Sequence, residues 1–188
     1  QAFMTQVGAM AERFAAETLG TDVRIGSVEI HSLHEFRVSD ITIYDKQAEA
    51  VLRADEARVT LRLLSLLLSP ETSVDEVLLT GAHAHIVQRA DGSWNYNDLA
   101  ADDTEPSTFE GRIRLADATA EIETGARSYE LTDITGTADI DRGDLSYDLT
   151  AALAGVPVRV RGENVGGTRE LQLMLDDSEL TPLLDLLP

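Results

Sequence analysis

The chain has 188 residues, no cysteine, 5% aromatic residues and a formal net charge of −19, from 34 acidic against 15 basic side chains. This length supports one domain with a real core, and the lack of cysteine excludes disulfides and thiolate zinc sites. The acidity argues against binding nucleic acid or docking on an anionic membrane surface, both of which need clustered Lys and Arg. Hydrophobic residues make up 43% of the chain, so with few rings the apolar weight rests on Leu, Val, Ile and Ala.

Taken in order, Phe3, Val7, Met10 and Phe14 fall on one helical face, and Gly20 suits the C′ position, so residues 1–20 read as an amphipathic helix. Glu12 and Glu17 spoil it as a membrane face, and it is expected to cap the end of a sheet. Strand signals follow. Val23 and Ile25 alternate, Val28 and Ile30 resume on the other phase, and Val38 leads to Ile41 and Ile43. Ala57, Val59, Leu61 and Leu63 hold one phase, and the run Leu63–Leu68, closed by Pro70, reads as a short buried helix or turn.

The stretch from Val74 to Leu99 organises the rest. Val77 and Leu79 alternate, Gly81 interrupts, and Ala82, Ala84 and Ile86 continue on the next phase. Asp91-Gly92 then supplies a tight turn before Trp94 and Leu99. The polar stretch 101–108 is a linker, which divides the sheet into segments 21–100 and 109–188. In the second segment Ile113, Leu115, Ala118, Ala120 and Ile122 precede a hairpin connection at Thr124–Arg127. Tyr129, Leu131, Ile134, Ala138 and Ile140 lead to a turn at Asp141–Asp144. Leu145, Tyr147, Leu149, Ala151 and Leu153 alternate without a break, followed by Val156, Val158 and Val160, where Pro157 suggests an edge or bulge. A turn at Asn164–Thr168 precedes Leu171, Leu173 and Leu175. Ser178 can N-cap a short closing helix carrying Leu180, Leu183, Leu184 and Leu187.

A weak repeat runs through these strands. Val38-Ser39-Asp40-Ile41, Leu115-Ala116-Asp117-Ala118 and Leu131-Thr132-Asp133-Ile134 each move the next apolar residue from i+2 to i+3. A plain strand would turn its face over at that point; a one-residue bulge restores the face and adds twist. Repeated bulges make a wide sheet curl. The predicted fold class is therefore mainly β with short α caps. It is a long, curled antiparallel sheet of nine or ten strands, forming an open, taco-like groove behind an N-terminal amphipathic helix.

The sequence offers little catalytic chemistry. His83 and His85 would share one face of a strand, but no carboxylate stands at a recognisable spacing, and no HExxH, Walker loop, GxSxG or GxGxxG is present. No catalytic residue, metal site or cofactor is expected, and the chain does not read as an enzyme. No stretch approaches the roughly 20 apolar residues of a spanning helix, and no signal peptide is visible. The abrupt start suggests a missing upstream segment.

Three parts of the chain carry a family resemblance. They are Val23-Arg24-Ile25-Gly26-Ser27-Val28 after the helix, then Val38–Asp45 with Ala54–Val59, then Val77, Leu79, Gly81, Arg89, Asp91-Gly92, Trp94-Asn95 and Leu99. Together, over roughly residues 10–100, these resemble the AsmA/TamB superfamily of envelope proteins, its TamB-like branch foremost. The resemblance implies a periplasmic β-groove, tethered by an N-terminal inner-membrane anchor missing here. Such a groove moves glycerophospholipid between the inner and outer membranes. It also implies a TamA-like outer-membrane barrel of the Omp85 class as partner, through a missing C-terminal region. The lining expected from alternation is Ile41, Ile43, Val59, Leu61, Leu63, Val77, Leu79, Ile86, Ile113, Leu115, Leu131, Leu145, Leu149, Leu171 and Leu173, with phospholipid acyl chains as the ligand. The competing expectation is a non-enzymatic envelope scaffold or assembly factor for outer-membrane proteins, with edge-strand self-association through Leu171–Leu175. A zinc hydrolase using His83 and His85 is a distant third.

Overall fold

The computed structural model describes residues 16, 20–62, 74–99, 110–125, 127–141, 143–166 and 168–175. They form one open, curled sheet of ten strands. The strands are β1 (Val23–Arg24), β2 (Ser27–Ser32), β3 (Glu35–Tyr44), β4 (Ala50–Leu61), β5 (Val74–Gln88), β6 (Glu110–Thr124), β7 (Arg127–Asp141), β8 (Asp144–Leu153), β9 (Val156–Val165) and β10 (Thr168–Leu175). One short 3-10 turn, Asn95–Leu99, follows β5. The expected helices at 1–20 and after Ser178, and the Leu63–Leu68 run, lie outside the described residues.

The strand order is that of the sequence, except that β1 and β2 both pair with β3. Their registers with β3 are continuous, Arg24 opposite Thr42 and Ser27 opposite Ser39, so β1 and β2 are one edge strand broken at Gly26. All pairs are antiparallel but one. β5 and β6 run parallel over Glu76–Gln88 and Arg112–Thr124, which corrects the expectation of an antiparallel sheet throughout. Short hairpins force antiparallel neighbours, whereas a connection of a dozen or more residues lets the chain return to the same end. The 89–109 connection, which contains the predicted linker, is long enough for that return. The two predicted segments therefore meet at this seam as parts of a single sheet.

The Asp repeat has the consequence its spacing implies. Asp40, Asp117 and Asp133 sit at φ 55°, 53° and 54°, and Gly81 at 62°. Asp is among the few non-glycine residues that tolerate this left-handed region. Asp40, Gly81 and Asp117 lie in one line across the sheet. Asp40 is level with Gly26 and with Asp55, Asp55 is opposite Gly81, and Gly81 is level with Asp117. Because every strand from β3 to β6 carries the extra residue at the same height, their registers pass through it unshifted. Shifts appear around Ala118 and between Thr132 and Thr135, where β8 has no matching residue. Glycine is favoured at 81, where a side chain would meet a neighbouring carboxylate as well as a left-handed backbone. A Cβ there would lie 2.3 Å from Asp55 Oδ2.

The β8–β9 hairpin turns at Ala154-Gly155, with φ 50° and 78°. Two consecutive positive φ values suit the twist of a two-residue hairpin, but Ala is a poor signal for it, and the turn is hard to see in the sequence. Pro157, expected at an edge or bulge, stands in the inner strand β9 opposite Ala152 of β8.

Candidate functional site: the aliphatic face of the sheet

Residues opposite one another in register share a face of the sheet. One transverse row is Val28, Val38, Ala57, Leu79, Leu115, Gly136, Leu149, Val160 and Leu173. A second is Ile30, Phe36, Val59, Val77, Ile113, Ala138, Tyr147, Gly162 and Leu171. Beyond the line of bulges, a third is Val23, Ile43, Leu52, Ala84, Ala120, Leu131, Leu153 and Val156. None of these rows contains a charged residue. Ile41 aligns with Ala54 and Ala82, and Ile86 with Ile122 and Tyr129. Leu61 ends β4 in phase with Val59, and Leu145 lies opposite Ile140. Every residue nominated from alternation thus falls on one face, apart from Leu63, which lies outside the described residues.

Burial on this face is uneven. Ala54, Ala57, Ala82, Ala118 and Ala120 are buried and, with Val28, Val38 and Ile134, form the core. Larger neighbours such as Leu52, Leu79, Leu115 and Leu131 pack half-buried around them. On β10, Leu171 is 67% and Leu173 61% exposed. Between these extremes, the hydroxyl end of Tyr147 sits over Gly162, where a Cβ would come within 2.3 Å of it. A ring over a strand glycine covers backbone that has no side chain of its own.

The opposite face carries the charge. Arg37 pairs with Glu56 at 3.2 Å, Arg58 with Glu35 at 3.7 Å, Arg114 with Glu76 at 3.6 Å and Arg112 with Asp139 at 2.7 Å. Asp148 accepts from both Arg159 (2.6 Å) and Arg161 (2.9 Å). These hydrogen bonds hold its carboxyl down at about 2. Ion pairs at a surface of this kind contribute little to stability.

The Arg89–Leu99 motif is a clasp rather than a chemical site. Gly92 turns the chain at φ 85°, and Asp91 accepts from the amide and hydroxyl of Ser93. Asn95, buried, accepts from the Val87 amide at 3.0 Å and donates to the His85 carbonyl at 2.8 Å. Its amide thereby replaces a strand partner at the end of β5. Arg89 donates to Asp98 at 2.5 Å and to the buried Asp45 at 3.1 Å. Asp45 also accepts from the amides of Gln47 and Glu49, closing the β3–β4 turn. Its hydrogen bond to Asp98 holds Arg89 above its ordinary value, and Arg89 holds Asp98 below the usual carboxylate range. The role of Asp45 was invisible in the sequence, because it lies 44 residues from Arg89.

No helix among the described residues is long and apolar enough to cross a membrane. No protein-family model, no curated protein and no solved structure matches this chain.

Proposed function

We propose that this chain is a segment of a bridge-like lipid carrier of the AsmA/TamB kind, acting in the periplasm between an inner-membrane anchor and an outer-membrane barrel. The observation that carries this reading is the set of three uncharged, mostly aliphatic rows running across eight or nine strands on one face. A curled sheet with such a face forms a groove in which acyl chains lie against Leu, Val and Ile while headgroups stay in water. Each methylene removed from water contributes about 0.8 kcal/mol. A lining without polar anchors holds every position along the groove about equally, which suits sliding. The charged outer face and the scarcity of rings fit the same use.

The test is native mass spectrometry of the purified chain with extraction of bound lipid, beside the double variant Leu171→Asp, Leu173→Asp. These two side chains are exposed, so the charges leave the fold intact; at Leu61 or Leu149, half-buried, the same change would also load the core. Phospholipid on the wild-type chain and its loss from the variant support the carrier. A wild-type chain free of lipid, or a variant that binds as well, overturns it. The scaffold reading rests on β10, which has no second neighbouring strand among the described residues and whose exposed Leu171, Leu173 and Leu175 could take a further strand; a lipid-free oligomer would favour it.

A further inference from the structure

On the charged face, at the parallel seam, the register brings together residues that lie far apart in the chain. His85 on β5 is directly opposite Glu121 on β6, and Glu123 follows on the same face two residues along. A ring nitrogen of His85, a Glu121 oxygen and a Glu123 oxygen all lie within 4.8 Å of one another, and each residue is half-buried. His85 Nε2 stands 3.1 Å from Glu123 Oε1, and Ser128 Oγ donates to Glu121 Oε1 at 3.1 Å. Beside them His83 Nδ1 is 2.9 Å from Thr119 Oγ1, which keeps it outside the cluster.

We infer that His85, Glu121 and Glu123 form a site for a divalent transition-metal ion, with zinc the best-suited ion. The donor set is one imidazole nitrogen and two carboxylates, the chemistry of open zinc sites that leave a position for water. Ligands at about 2.0–2.2 Å from a tetrahedral ion stand about 3.4 Å apart. The His85–Glu123 pair already meets that spacing, and rotation of the flexible Glu121 side chain closes the remainder. The ion would take the place of the His85–Glu123 hydrogen bond. It would tie β5 to β6 at the seam where the two antiparallel halves of the sheet meet. Its role is a clamp, and it is independent of whether the opposite face carries lipid.

The experiment is isothermal titration of the metal-stripped 188-residue chain with zinc chloride, paired with thermal unfolding in zinc and in chelator. One equivalent saturates the wild-type chain and raises its unfolding midpoint. His85→Ala and Glu123→Gln each weaken binding by more than about 100-fold, since losing even an outer hydrogen-bond partner of a ligand costs roughly 10- to 100-fold. His31→Ala, on the distant β2, leaves binding unchanged. Absence of saturable binding to the wild-type chain overturns the site. So does equal binding by His85→Ala, which would mean only diffuse attraction of zinc to an acidic surface. Circular dichroism of both variants guards against loss of fold, and Glu123→Gln, nearly isosteric, decides the matter if His85→Ala is disturbed.

Discussion

Strands β3 to β7 and strands β8 to β10 alternate equally well, yet they bury their apolar residues very differently. In the first group an extra residue interrupts each strand, at one height from β3 to β6 and a step away in β7, and alanines stand beside the interruption. Those alanines are buried, as are Val28 and Val38 nearby. In the second group no strand interior has a left-handed residue, and the alternation is unbroken from Leu145 to Leu153. Val156 and Val158 are buried beside the hairpin, but β10 is exposed along its whole length. The difference shows that alternation chooses a face without burying it. The alanine core forms where bulges supply local bend and twist, with side chains small enough to fit inside that bend.

The largest expected effect comes from breaking the line of bulges. Gly81→Ala places a methyl at φ 62° and against Asp55. It should cost about 3 kcal/mol in urea unfolding, from left-handed strain plus displacement of a neighbouring carboxylate. A cost under about 1 kcal/mol would mean that the line is incidental to the fold. An intermediate effect should come from the clasp that holds the β3–β4 turn to the end of β5. Asp98 titrates lower in the folded chain than in the unfolded one, because Arg89 donates to it. The folded state therefore binds fewer protons in acid. Stability from this group is complete above about pH 4 and is lost as pH falls through the depressed value. Asp98→Asn should flatten the stability profile below pH 4 and lower stability at neutral pH; an unchanged profile would remove Asp98 from the clasp's energetics. The smallest effect is expected on β10. Leu173→Asp should change stability by no more than about 0.5 kcal/mol, as an exposed substitution does. A loss above about 2 kcal/mol would place β10 in the core and dissolve the contrast between the two groups.

Much of this fold is legible in the sequence. The i+2 to i+3 step at Asp40, Asp117 and Asp133 announced the bulges, because only an extra residue returns the next apolar side chain to its face. The same reasoning put every nominated aliphatic residue that the structure describes on one face. The parallel pairing of β5 and β6 was not legible, since the direction of a strand is decided by where a long connection lands. Nor was the Ala154-Gly155 turn, where backbone twist overrides the low preference of Ala for positive φ. The partners of His85 were hidden for a further reason: Glu121 and Glu123 are neighbours only through register. Sequence alone determined what is local here, namely strand period, bulge position and the sign of each face. Only the tertiary structure decided which distant carboxylates meet a histidine or an arginine, and which apolar residues the curl of the sheet buries. Both depend on how strands lie beside one another, and no residue carries that information by itself.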